Sequence, residues 1–202
     1  MNATRELRLI AGATLVNLIL AGLLLAFGGT DVAGTELALR MTARISFVWF
    51  LMVFTASPLR TLWKGGPGDW LFARRRALGV IFGISMSIHV GFILRLYALH
   101  APERPPMVTD TDFSIGVPGL VLVALMTLTS AVALRRRLGE TAWKRLHTTG
   151  LYVVWAIFIL CLVDSVGRKE ISRPWLEYHS FIGVLLAAMA LRLAALHRTR
   201  SA

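Results

Sequence analysis

His89 and His147 are the side chains whose type and position in this sequence offer chemistry. His89 stands thirteen residues into an apolar run that starts at Ala77. In a helix that is nearly 20 Å of depth, close to the middle of a bilayer. An ionisable group at that depth is costly and by default marks a function. A neutral imidazole there can ligate a metal, haem iron included, through one ring nitrogen while a partner fixes the other. The plain alternative is a hydrogen bond to a neighbouring helix. His147 stands at the mouth of another apolar run, behind the cationic segment Arg135, Arg136, Arg137, Lys144, Arg145. Ligation and a solvated boundary position are both open to it. Arg40 and Arg44 are four apart and share a helix face near an outer boundary. They either snorkel to headgroups or hold an anionic group such as a haem propionate. His179, about one turn inside another run, is either a ligand or an interface residue.

The elements that must position these groups follow from hydropathy. Mean hydropathy is +0.66 and 56% of residues are apolar, which marks an integral membrane protein. A helix needs about 20 mostly apolar residues to cross. Six runs qualify, at roughly 7–28, 38–58, 77–98, 114–134, 147–166 and 176–196. The expected fold is therefore an all-α bundle of six transmembrane helices in a single domain, 1–202. The first run reads as a span rather than a cleavable signal. Pro58 is expected to stop the second helix as it leaves the membrane, and Asp69 to start the third. Hydroxyls at Thr127, Thr129 and Ser130 are expected to bond their own backbone. Trp175 and Tyr178 read as interfacial anchors.

The net charge of +11 points to topology rather than nucleic acid. With the N-terminus inside, 14 of the 22 Lys and Arg flank the spans on the inner side and 4 on the outer, the other 4 lying within or at the edges of spans. The positive-inside rule then places both termini in the cytoplasm, with lipid headgroups as secondary contacts. The single cysteine, Cys161, allows no intramolecular disulfide and gives no thiol-redox signature. The loops are too short for a nucleotide- or flavin-binding domain and carry no glycine-rich fingerprint, so reducing equivalents must come from a partner.

Three motifs resemble the ferric reductase-like transmembrane domain family. Thr55-Ala56-Ser57-Pro58-Leu59-Arg60 is similar to the end of its second helix. Arg75-Arg76-Ala77-Leu78-Gly79, with His89 ten residues beyond Gly79, resembles its third helix. Arg137-Leu138-Gly139, Trp143, Leu146-His147 and Tyr152 resemble the entry to its fifth. Within the family, the resemblance is to haem-binding membrane subunits that serve periplasmic methionine sulfoxide reductases. It implies haem b, one or two per chain, held by His89 and His147 in a bacterial inner (plasma) membrane. It also implies a cytoplasmic flavin reductase or a quinone as donor, and a periplasmic reductase as acceptor. A reductant would act near His147 and the electron would move outward towards His89. The family's second histidine on the fifth helix is Leu160 here, beside Cys161.

Depth then separates the two ligand positions, because His147 lies at the inner boundary and His89 far from it. Separate haems, with His100 or His179 serving near the outer face and Arg75 opposite His147, are one solution. Helix tilt that lets both histidines share one iron is another. Two further classes remain in contention. A haem-free structural or interaction subunit would use His89 only for packing. A translocating channel would want several ionisable groups along one path, and only His89 is central.

Overall fold

Long apolar runs without water to satisfy their amides leave helix as the way to pair every backbone group within one segment. The computed structural model describes residues 3–63, 65–101, 103, 105, 110–167 and 175–201, and those in regular structure are helical throughout. Seven helices follow in order: α1 (Ala3–Gly28), α2 (Val32–Leu62), α3 (Pro67–His100), α4 (Asp110–Leu128), α5 (Val132–Leu138), α6 (Glu140–Gly167) and α7 (Trp175–Arg200). Five of them are long and apolar enough to cross a membrane, and α4 and α5 meet the same test only as a bent pair, the geometry of a broken span or a re-entrant loop. Residues 168–174, most of 102–109 and the side chain of Trp175, named above as an anchor, lie outside the described residues.

The described residues fall into two units. The first comprises 1–53 and 73–108, which takes in α1 and the greater parts of α2 and α3. Its α1–α2 turn is set by Gly29 at φ +94° and by Asp31, whose carboxylate accepts from the Gly34 amide at 2.9 Å as an N-cap. A Cβ at Gly34 would collide with the Gly28 and Gly29 carbonyls, so only glycine closes this turn. Arg95 of α3 reaches the same turn, donating to the Thr30 carbonyl at 2.7 Å and to the Thr35 hydroxyl at 3.2 Å. Ala21, Ala38, Leu39, Phe92 and Leu96 form the buried apolar cluster just inside it.

The second unit comprises 54–72 and 109–202. Here α2 continues through Pro58 to Leu62 instead of stopping at the proline. A proline inside a helix leaves the carbonyl four residues earlier without its amide partner. That carbonyl is Phe54's, and Arg192 of α7 donates to it at 2.9 Å. The same guanidinium donates to the Tyr152 hydroxyl at 3.1 Å and lies over the Phe54 and Tyr152 rings at 4.6 and 4.8 Å. A charged side chain thus completes a helix that the sequence seemed to end. The next helix starts at Pro67, two residues before Asp69, with glycines at 65 and 66 in left-handed geometry. Proline at the first helical position lacks only an amide that would be unpaired anyway. Asp69 serves this start as an acceptor, for the Gly65 amide at 2.8 Å and for Arg60 at 3.4 Å.

The expected span 114–134 is not continuous. It ends at Leu128, and the chain bends by 104° into α5. Thr127, Thr129 and Ser130 return their hydroxyls to the Val123, Leu125 and Met126 carbonyls, as expected of them. Consecutive bonds of that kind compete with the helical ladder and favour a bend. The Trp143 indole then donates to the Thr129 carbonyl at 3.0 Å, holding the break against α6. Gly119 and Gly150 let α4 and α6 approach so closely that a Cβ at either would meet Ile157 or Met126. Trp155 of α6 donates to the Leu185 carbonyl of α7 at 2.9 Å.

Candidate functional site

In the first unit, His89 lies on α3 with its Nδ1 3.2 Å from the Thr42 hydroxyl of α2. Thr42 has one hydroxyl proton, and it points to the Ala38 carbonyl at 2.8 Å and the Leu39 carbonyl at 3.0 Å of its own helix. Towards the imidazole, Thr42 is therefore an acceptor, and Nδ1 carries the proton of a neutral ring. The lone pair is then on Nε2, the atom a metal would take. One turn further along the same two helices, the Ser46 and Ser85 hydroxyls meet at 2.8 Å, both buried. Beyond them the Phe50 and Phe82 rings pack at 5.7 Å. The α2–α3 seam thus carries two hydroxyl-based polar pairs, backed by aromatic packing.

Arg40 and Arg44 sit at the level of this pair, partly buried. Being two residues from Thr42, they project from the opposite side of α2. Arg40 lies 4.0 Å from Glu36, and Arg44 approaches the Met41 sulfur at 3.3 Å. His100, in the last turn of α3, turns Nδ1 to the Leu96 carbonyl at 3.0 Å. Arg75, at the other end of α3, is exposed.

In the second unit His147 is differently held. Its Nδ1 lies 3.0 Å from the Trp143 carbonyl on α6, and its Nε2 lies 3.1 Å from the Met126 carbonyl on α4 and 3.5 Å from the Ser130 hydroxyl. Both nitrogens thus face main-chain acceptors on two helices. The Trp143 ring packs on the imidazole with centroids 4.3 Å apart. Arg135 in turn lies 4.2 Å over Trp143 while donating to Glu140 through Nε at 3.0 Å and Nη2 at 2.6 Å. To reach a metal through Nε2, this ring must first leave the Met126 carbonyl. His179 of α7 is exposed.

Among the described residues no three His, Cys, Asp or Glu side chains converge on a point where an ion would bind. A macrocycle-borne iron asks less of the protein, one or two axial ligands, and the His89 geometry fits that demand. Thr42 and Arg192 went unrecognised as site or framework groups in the sequence, and Trp143 was named there only as a motif residue. Thr42 and Ser46 on one face of α2, facing Ser85 and His89 with the same spacing of four on α3, were the signal available for the first of them.

No solved structure matches the chain. Over 176 residues it is 26% identical to the protein-methionine-sulfoxide reductase heme-binding subunit MsrQ of Ralstonia nicotianae, a match covering 84% of this chain and 77% of that protein. This likeness, with the run of apolar helices, makes the chain a multi-pass protein of the bacterial inner membrane. Residues 42–161, from the threonine that holds His89 through Cys161, match the model for the ferric reductase like transmembrane component, and the chain belongs to that family.

Proposed function

We propose that this chain is a b-type haem-binding electron-transfer subunit, with both termini cytoplasmic, that draws electrons from a cytoplasmic flavin reductase or a membrane quinol and passes them to a periplasmic reductase. The observation that carries the reading is the His89–Thr42 pair, a neutral imidazole whose proton is fixed on Nδ1 and whose Nε2 lone pair is left for iron. Family membership and the likeness to MsrQ support it. Haem would supply the one-electron chemistry when bound. The protein's own work is to orient and to exclude water. Thr42 holds the ring plane and the tautomer, and buried Phe82 and Phe92 keep the α2–α3 seam apolar on either side of His89. His147, with its Nε2 set against the Met126 carbonyl, is read as the less accessible of the two imidazoles, which favours one haem per chain over two. In that reading Arg40, Arg44, Arg75, His100 and His179 serve the boundaries and the propionates rather than the iron.

The test is the absorption spectrum of the detergent-purified protein, oxidised and dithionite-reduced, with haem counted per chain. A reduced b-type spectrum near one haem per chain is expected. Haem-free protein from haem-replete cells would refute the reading and leave a structural subunit. Thr42→Val keeps the shape but gives Nδ1–H no side-chain acceptor. Loss of such an outer partner typically weakens metal affinity by about 10- to 100-fold. Thr42→Ser is expected to restore it, and haem affinity unchanged in Thr42→Val would remove Thr42 from the site.

A further inference from the structure

α5 has seven residues and none of them is buried, yet it is helical. A helix that short is marginal in water, so surfaces around it must hold it. α6 supplies one: Arg135 gives its guanidinium to Glu140 at 2.6 Å and to the face of Trp143. The place of α5 in the chain indicates the other. α4 is apolar up to Leu128, and the Ala131 amide donates back to the Leu128 carbonyl at 3.1 Å. A turn closed in that way spans less than about 7 Å, which is about the depth of one headgroup layer, so α5 leaves α4 inside that layer. It then turns by 104° from α4. With α4 tilted by about 20°, as crossing helices are on average, α5 runs within about 35° of the membrane plane. Three arginines in so short a helix keep it out of the hydrocarbon.

The residues of α5 are sorted for such a position. At about 100° per residue, Leu134 and Leu138 share a face, Arg135 and Arg137 flank it, and Arg136 lies opposite. Both leucines are exposed, by 39% and 40%. Arg136 and Arg137 are exposed and meet no acceptor among the described residues. An apolar face with cationic flanks is the pattern of a helix lying in a lipid interface, its arginines reaching out to the headgroups.

We propose that α5 is an in-plane helix docked on the anionic lipid surface where α4 leaves the membrane, with Leu134 and Leu138 turned to the acyl chains and Arg136 and Arg137 on headgroup phosphates. An acidic protein would suit the arginines, but the leucines and the closeness of α5 to the end of α4 favour lipid. Docked so, α5 keeps Arg135 on Trp143, the residue that secures the break and stacks on His147. The proposal rests on α4 entering the bilayer and is independent of haem.

Hydrogen exchange of the α5 amides, in the full chain reconstituted into nanodiscs of phosphatidylglycerol or phosphatidylcholine, is the test. Lifted from the lipid the short helix melts, so exchange reads the docked fraction. Exchange is expected to be roughly 25-fold slower in phosphatidylglycerol, about fivefold for each of the two free arginines. Arg136→Gln with Arg137→Gln is expected to abolish the difference between the lipids, and Leu134→Asn with Leu138→Asn to speed exchange in both. Arg5→Gln with Arg8→Gln removes the same charge at the start of α1 and is expected to leave the difference unchanged within about threefold, since it alters only the diffuse field. If that control abolished the difference as well, the effect would be bulk charge and the docking would be overturned. Equal exchange in the two lipids would overturn the lipid assignment and leave the arginines to an acidic protein. Should a double variant fail to fold, the wild-type comparison of the two lipids still decides.

Discussion

His89→Ala is expected to lose haem almost completely, with an affinity drop exceeding about 100-fold, while His147→Ala keeps it. The first half follows from the tautomer assigned by Thr42, because removing the ring removes the Nε2 lone pair that the proposed reading assigns to iron. An outer-sphere partner is already worth about 10- to 100-fold, and the ligand itself must exceed that. The second half follows from the two carbonyls at His147. Alanine there takes the imidazole from the Met126 carbonyl, which keeps the Ser130 hydroxyl, and the expected loss is in stability, about 1 kcal/mol. Haem per chain and the thermal midpoint, measured on both variants, separate the roles. If His147→Ala emptied the protein of haem and left its midpoint alone, the assignments would be reversed.

Arg192→Met is expected to destabilise the second unit by roughly 2–3 kcal/mol, the range for hydrogen bonds made by a charged donor, and the reason lies on another helix. Pro58 removes the amide that would have served the Phe54 carbonyl, and Arg192 replaces it. Pro58→Ala returns that amide to α2. In the Pro58→Ala background the same Arg192→Met change should cost about 1 kcal/mol less, because the carbonyl is no longer orphaned. Unfolding of the four proteins in detergent measures the coupling. Strict additivity would show that Arg192 acts only through Tyr152 and the aromatic rings. Either way the arginine is a framework residue, since its fork is spent on α2 and α6.

The sequence made the number and placement of the apolar runs legible because hydropathy is summed over some twenty residues and tolerates local exceptions. The family was legible for a different reason: the motifs around Pro58, His89 and His147 are short but ordered along the chain, and the matched region 42–161 contains all three. What local reading missed were the cases where a distant residue repairs a local fault. Pro58 reads as a stop unless Arg192, 134 positions later, is known to meet Phe54. The run 114–134 reads as one span because its apolar average hides three hydroxyls that bond the backbone beside the break, and because Trp143, which secures the break, lies beyond the run. His89 was singled out by its depth and by its place in the third-helix motif. Its tautomer needed Thr42, a residue of ordinary type at an ordinary position until α2 is laid against α3.

The break after Leu128 also bears on the membrane itself. The apolar part of α4, Phe113–Leu128, rises only about 24 Å at 1.5 Å per residue, several ångströms short of a typical hydrocarbon core of about 30 Å. α5, turned by 104° and carrying Arg135, Arg136 and Arg137, cannot make up the difference. Hydrophobic mismatch of this kind draws the leaflets together, so the bilayer beside α4 should be thinner than that beside α3, whose 34 residues have length to spare. Where α4 crosses the bilayer as a broken span, a thicker membrane is expected to strain the chain first there.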